Sequence, residues 1–223
     1  MPFEFPTSDR VYQGPPDVIP HLLPNMQQLD WRGIESQVSV KYAGMDFARS
    51  VSTEPVRHIL DVLDGQRLGL HKYTVVDVRY WAMLYPGQCP GLIGYHTDVT
   101  PADNAQGKPE RHLLVSWGGW PTQFLRRNRT ADQIRNSSHS GPVDPWFVPS
   151  DRAGGVVVYG RDHLHSARKV DTPGPRLLVR VTETDLVTPK RRIKAPPLFN
   201  TEYAATGHNQ YGINLRLKRD RNR

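Results

Sequence analysis

Four apolar side chains recur at helical spacing between residues 53 and 64: Val56, Ile59, Leu60 and Leu63. Ser52 or Thr53 offers a capping hydroxyl in front of this stretch, and Gly65 follows it. The pattern predicts one helix over 53–64, with an apolar face that packs against a larger part of the protein.

Four later segments are rich in Val, Leu, Tyr and Trp and are bounded by Gly, Pro, Asn and Asp, which is the pattern of strands. They are residues 73–85, 111–117, 154–160 and 176–184. Helical patterns do not alternate with these segments, which disfavours a parallel α/β sheet. We therefore expect a mainly β protein, either an antiparallel barrel or a two-sheet jelly roll.

The two ends of the chain differ from this β-rich centre. Six of the first 24 residues are proline, too many for a helix or a central strand, so the N-terminus is predicted to be an extended arm. Residues 212–218 alternate apolar and polar side chains, which predicts a last strand. We accordingly divide the chain into an N-terminal arm and lead-in (1–50), a β domain (51–188) and a C-terminal arm (189–223).

The positive charge is concentrated in the C-terminal arm. The chain of 223 residues has a formal net charge of +7, and residues 186–223 alone contain nine Lys or Arg and two acidic residues. Residues 1–185 contain 20 residues of each sign, which argues against a fold whose whole surface binds nucleic acid. The basic arm suits a polyanion or an acidic protein surface as partner, and its predicted strand suits a homo-oligomer or a larger assembly.

Composition excludes several classes of protein. No apolar run approaches the roughly 20 residues that a membrane-spanning helix needs, so no membrane partner is expected. The first ten residues lack the features of a secretory signal, which predicts a cytoplasmic protein, or one of the host cytoplasm or virion if a phage encodes it. Cys89 is the only cysteine, so a metal site must use histidine and carboxylate.

Only one of the nine histidines, His96, has an acidic residue two positions later, Asp98. Residues i and i+2 of a strand project to the same face, so this pair presents an imidazole and a carboxylate side by side. A second β-rich run leads to His163 and His165. Two histidines and one carboxylate form a facial triad with open positions, which points to non-haem Fe(II), although zinc accepts the same ligands.

Arg176 begins the last predicted strand of the β domain, eleven residues after His165. It shares one strand face with Leu178 and Arg180. A guanidinium that enters a buried pocket needs an anion, and its planar fork suits a carboxylate held by two hydrogen bonds. A dicarboxylate co-substrate would supply that anion.

Together these segments resemble the Fe(II)/2-oxoglutarate-dependent oxygenase superfamily over about residues 53–185. The resemblance implies a distorted double-stranded β-helix, which is a jelly roll, with a supporting helix in front of it. It implies that His96, Asp98 and His165 bind Fe(II). It also implies that Arg176 pairs with the C5 carboxylate of 2-oxoglutarate and that the protein uses O2 to hydroxylate or demethylate an unidentified substrate.

Several alternatives stay open at this point. His163 is a second candidate for the distal ligand, Arg180 for the carboxylate partner, and Tyr85 for a hydroxyl donor to the same carboxylate. The competing function is a non-catalytic jelly-roll subunit of a larger assembly, such as a viral or phage particle, that binds through its terminal arms. In that case the same histidines and arginines make structural contacts in a metal-free barrel.

Overall fold

The computed structural model describes residues 11–23, 33–90, 98, 109–118, 122–130, 133, 147–149, 155–167 and 170–194. The basic arm beyond residue 194, with the predicted strand at 212–218, lies outside these residues. The strand and the partners expected for that arm stay predictions.

The described residues form two helices and eleven strands. The helices are α1 (Met45–Val51) and α2 (Glu54–Gly65). The four longest strands are β4 (Tyr73–Leu84), β5 (Arg111–Trp117), β9 (Val156–Gly160) and β11 (Gly174–Thr184). The short strands are β1 (Val11–Tyr12), β2 (Asp17–Ile19), β3 (Val40–Ala43), β6 (Gln123–Leu125), β7 (Arg129–Thr130), β8 (Phe147–Pro149) and β10 (His165–Ser166).

The predicted helix and the four predicted strands are confirmed, with shifts of one or two residues at some ends. Thr53 is the N-cap residue of α2, but its hydroxyl donates to Gln37 Oε1 at 3.0 Å and does not cap the helix. Helix α1 and strands β1 to β3 were not predicted, because they are short and lack a clear apolar period.

The strands build two main sheets and a small ribbon, all antiparallel. Six strands in the order β2-β9-β5-β11-β4-β3 form the large sheet, and β10-β6-β8 form the small one. Strands β1 and β7 make a separate pair. The central strand β11 pairs with β4 on one side and β5 on the other over most of its length.

Side chains of β11 alternate between two layers. Leu177, Val179 and Val181 are buried in the core that the large sheet shares with the two helices. On the helix side this core includes the four residues predicted from the helical spacing, all of them fully buried. Each such side chain contributes roughly 1.5–3 kcal/mol to folding.

The opposite face of the large sheet packs against the small sheet. Leu114 of β5, Val157 of β9 and Phe124 of β6 belong to one buried cluster, and the partly buried Leu178 of β11 packs against it. This is the two-sheet arrangement of a jelly roll, and it confirms the mainly β prediction. The even-numbered residues of β11, Arg176 and Arg180 among them, lie on this inter-sheet face.

Part of the predicted N-terminal arm belongs to the large sheet. Strand β2 pairs with β9 at one edge, and β3 pairs with β4 at the other. Helix α1 crosses the predicted boundary at residue 50. At the C-terminal end, Ile193 bridges to Val40 and Lys190 to Ala43, so the start of the basic arm runs along β3.

Among the ranges given above, neither helix combines the length and the apolarity that crossing a bilayer requires.

Candidate metal centre

His165 and Asp98, two of the predicted metal ligands, lie together between the sheets. His165 is on β10, and its Nε2 is 3.4 Å from Asp98 Oδ2. Its Nδ1 is 3.0 Å from the backbone oxygen of His163. Because a carbonyl only accepts hydrogen bonds, Nδ1 carries the proton and Nε2 faces the carboxylate. This backbone anchor is typical of metal-binding imidazoles.

His96, the third predicted ligand, lies outside the described residues. Within the part of the chain that is described, no group of three or more His, Cys, Asp or Glu side chains is gathered closely enough to hold a metal. His163, the alternative ligand, has a different role in its surroundings. Its Nδ1 accepts the Gly160 N–H at 3.1 Å, and its carbonyl orients His165.

The Asp98 carboxylate is surrounded by donors. Its Oδ2 accepts hydrogen bonds from the Tyr159 hydroxyl, at 2.7 Å, and from Arg180 Nη1. Burial disfavours the charged carboxylate, but the Arg180 guanidinium and the His165 imidazole outweigh this effect and hold the pKa of Asp98 well below its usual range. Asp98 is therefore ionised at neutral pH, as a metal ligand must be.

Arg180 is shared between two carboxylates. Its Nη1 donates to Asp98, and its Nη2 donates to Asp77 on the neighbouring strand β4. The register pairs Arg180 with Asp77 directly across the two strands. Burial disfavours the charge, but the two carboxylates and the Tyr159 oxygen raise the pKa of Arg180 well above its ordinary value.

Arg176 has the opposite environment. Its side chain is almost fully buried, with 1% of the residue exposed. Nη2 reaches Thr122 Oγ1 at 3.4 Å, the guanidinium carbon lies 5.4 Å from the centre of the Trp81 ring, and Nε has no hydrogen-bond partner. No carboxylate in the described ranges forms an ion pair with it. Burial without an anion lowers the pKa of Arg176 to about 10.

Gly118 brings the end of β5 close to Arg176. Its φ is +110°, and a Cβ at this position would lie 2.5 Å from the Pro175 oxygen and 3.1 Å from Arg176 Cα. Only glycine combines this dihedral angle with so close an approach. The backbone at Pro175 and Arg176 is thus tightly constrained.

Tyr85 follows β4 and is 57% exposed. Its backbone N–H donates to Gln88 Oε1 at 2.9 Å. The side chain predicted as a hydroxyl donor therefore extends mainly into solvent in this structure.

Three buried residues of the site were not identified from the sequence: Asp77, His112 and Tyr159. The ring of His112 stacks on Tyr159 with centroids 4.6 Å apart, and its Nδ1 is 2.9 Å from Thr182 Oγ1. Burial lowers the pKa of His112 to about 3. A recognisable signal was available, since Asp77 and His112 are polar residues inside otherwise apolar strand segments.

None of the protein-family models matches the chain, and no curated protein is significantly similar to it. Among solved structures, the chain is similar to a crystal structure of HygX from Streptomyces hygroscopicus with nickel and 2-oxoglutarate bound. The similarity covers 83% of this chain and 86% of that chain, with a TM-score of 0.39 and 14% sequence identity. Similarity at this level establishes neither a shared fold nor a shared activity.

Proposed function

We propose that the protein is a non-haem Fe(II)/2-oxoglutarate-dependent dioxygenase that hydroxylates or demethylates an as yet unidentified substrate. The observation that carries the proposal is the contrast between the surroundings of Arg176 and those of Arg180 on β11. Arg176 is a buried guanidinium that forms no ion pair with any described carboxylate, and it shares a strand face with the Arg180–Asp98–His165 cluster. A ligand with a carboxylate at one end and metal-chelating oxygens at the other matches both features.

The donor set fits a divalent metal ion. Asp98 supplies an ionised carboxylate and His165 a correctly oriented Nε2, and His96 precedes Asp98 by two residues. These three residues would hold Fe(II), which, together with 2-oxoglutarate, supplies the O2 activation that amino-acid side chains lack. Arg180 and His165 keep Asp98 ionised, and hydrogen bonds from Arg180 and Tyr159 hold its carboxylate in place.

Arg176 is the better candidate for the C5 carboxylate of 2-oxoglutarate. Moving a cation from water into the protein interior costs on the order of several kcal/mol, as it does for any buried ion, unless a nearby anion compensates the charge. Arg180 already has Asp77 and Asp98 as compensation, whereas the contacts of Arg176 among the described residues are a hydroxyl and an aromatic ring. A bound carboxylate would satisfy Arg176 and would leave the Arg180 pairs intact.

The proposal is tested by anaerobic titration of the full chain with Fe(II) and 2-oxoglutarate, followed by the metal-to-ligand charge-transfer absorption band. We expect the band in the wild type and its loss in His96→Ala and His165→Ala. His163→Ala is the matched control, because it leaves the backbone oxygen that orients His165, and we expect it to retain the band.

Two results would overturn the proposal. One is a wild type that binds neither Fe(II) nor 2-oxoglutarate, which would favour the non-catalytic assembly subunit. The other is a wild type that binds zinc at His165 and gives no band with Fe(II) and 2-oxoglutarate.

A further inference from the structure

A series of hydrogen-bonded groups connects Asp98, in the candidate metal centre, to strand β3 at the edge of the large sheet. We propose that Arg180 is a positioning residue for Asp98, that Asp77 anchors it, and that this support sets the affinity of the site for divalent metal ions. The inference rests on the proposed function, because it assumes that Asp98 is a metal ligand.

The first link is the fork of Arg180. Its two terminal nitrogens donate to different carboxylates, Nη1 to Asp98 and Nη2 to Asp77. Only 12% of the Arg180 side chain and 3% of the Asp77 side chain are exposed, so water screens the Arg180–Asp77 pair little. A planar guanidinium held at both ends has one orientation, and it transmits that orientation to Asp98.

The second link fixes Asp77. Its Oδ1 accepts the backbone N–H of Tyr42 at 2.8 Å. Tyr42 has a φ of +54°, which is unusual for a residue other than glycine, and it lies in a bulge where the pairing of β3 with β4 shifts register. The Lys190 N–H donates to the Tyr42 oxygen at 2.7 Å and secures this conformation from the other side.

A bulge of this kind re-aims a backbone group, and strained dihedral angles of non-glycine residues cluster at functional sites. Here the bulge directs an N–H inward to a carboxylate whose other oxygen is taken by Arg180. The backbone strain at Tyr42 thus serves the orientation of Asp77, and through it the orientation of Arg180.

The third link is Tyr159. Its hydroxyl donates to the same Asp98 oxygen as Arg180 and accepts a hydrogen bond from Arg180 Nη1 at 3.3 Å. Asp98 is therefore held by two donors that also contact each other. Groups that orient a metal ligand in this way typically change metal affinity about 10- to 100-fold when they are altered.

The test measures Mn(II) affinity by electron paramagnetic resonance of the free ion, together with the visible absorption spectrum of the Co(II)-loaded full chain. Asp77→Asn removes the charged anchor, and Arg180→Lys keeps the charge but removes the fork. We expect each to weaken Mn(II) binding about tenfold or more and to change the Co(II) spectrum. Tyr159→Phe preserves the ring packing and should weaken binding roughly threefold.

Glu183→Gln is the matched control. Glu183 is also a buried carboxylate on β11 that accepts backbone N–H groups, from Leu68 at 3.0 Å and Gly69 at 2.7 Å, and it pairs with Arg111 at 3.2 Å. It belongs to a different network, so a general loss of stability would appear in this variant too. We expect its Mn(II) affinity to stay within about twofold of the wild type.

The outcomes are separable. If the wild type binds Mn(II) and the three site variants match it in affinity and Co(II) spectrum, the positioning role is overturned and the proposed function stands. If Glu183→Gln weakens binding as much as Asp77→Asn, the effect is one of stability and the inference also fails. If the wild type binds no metal, the proposed function fails, and the inference fails with it. If Asp77→Asn does not fold, the affinity of Tyr159→Phe for Mn(II) tests the positioning role instead.

Discussion

Arg176 and Arg180 lie four residues apart on the same face of the same strand, about 13 Å along β11. Both side chains are largely buried, yet their surroundings are opposite. Arg180 forms ion pairs with Asp77 and Asp98, whereas Arg176 contacts a threonine hydroxyl at 3.4 Å and an aromatic ring. The difference lies in charge compensation and not in burial.

This difference separates two uses of a buried cation. A cation with two carboxylates completes an internal network, and its loss leaves buried negative charges without a partner. A cation without an anion lowers stability in the folded chain and gains its partner when an anionic ligand binds. Arg180 has the first arrangement, and within the described part of the chain Arg176 has the second. The predictions below test this division, from the largest expected effect to the smallest.

Substitution by methionine should affect the two positions in opposite ways. Arg180→Met leaves Asp77 and Asp98 buried without their shared cation, so the free energy of unfolding should fall by about 3–5 kcal/mol. Arg176→Met removes an uncompensated charge, so stability should be unchanged or higher by up to about 2 kcal/mol. Urea denaturation of the two variants and the wild type measures both values. An equal loss in both variants would mean that Arg176 has an internal partner.

Acid should destabilise the folded protein through His112, which lies at the Arg180 end of the site. Its pKa of about 3 in the folded protein lies below the ordinary value of 6.5, so the unfolded chain takes up the proton first as the pH falls. The stabilisation is complete above pH 6.5 and is lost progressively toward pH 3. Between pH 7 and pH 4.5 the loss is roughly 3 kcal/mol.

The measurement is urea denaturation at pH 7 and pH 4.5. His112→Phe keeps a ring against Tyr159 and removes the titration, so its pH dependence over this interval should be smaller by about the same amount. Burial also lowers the pKa of His163, which leaves a residual slope of the same sign. If the unfolding free energy of His112→Phe depended on pH as strongly as that of the wild type, His112 would not be responsible for the pH dependence.

The Arg176 end of the site should be sensitive to substitution of Gly118. In Gly118→Ala the new Cβ would contact the Pro175 oxygen and the backbone of Arg176, at a φ of +110°. We expect a loss of about 2 kcal/mol in unfolding free energy and weaker 2-oxoglutarate binding. Gly65→Ala is the control, since no heavy atom outside its helix lies within 4 Å of its added Cβ. Equal stability of the two variants would contradict the close approach.

The hydroxyl of Thr122 should have the smallest effect. It accepts one hydrogen bond of 3.4 Å from Arg176, so Thr122→Val should lower 2-oxoglutarate affinity of the Mn(II)-loaded protein about threefold, as measured by calorimetry. Thr122→Ser retains the hydroxyl and should stay within about twofold of the wild type. A loss of 100-fold in Thr122→Val would move the main ligand contact from Arg176 to Thr122.

The sequence was sufficient for the core elements of the fold. Helix α2 and strands β4, β5, β9 and β11 have strong apolar periods, because one face of each is buried in a continuous core. The N-terminal strands β2 and β3 were missed, because they are short edge strands beside prolines and glycines. Their positions depend on pairing with distant strands, which a local pattern does not encode.

The candidate site was accessible from the sequence only in part. The shared face of His96 and Asp98 and the shared face of Arg176 and Arg180 follow from strand geometry. The distribution of charge does not. That Asp77 lies opposite Arg180 depends on the register of β4 against β11, and that register appears only in the folded chain. The contrast in charge between the two arginines therefore comes from the structure, while the preference for Arg176 over Arg180 as the carboxylate partner stays a prediction.

The most direct test of the account compares 2-oxoglutarate with 2-oxopentanoate, which has the same chelating end but no C5 carboxylate, on the Mn(II)-loaded wild type and on Arg176→Met. The account predicts that the wild type prefers 2-oxoglutarate by about 100-fold or more, because two charge-assisted hydrogen bonds depend on that carboxylate. It predicts that Arg176→Met binds both compounds with similar affinity while its Mn(II) affinity is unchanged. A preference for 2-oxoglutarate that persists in Arg176→Met would contradict the central claim.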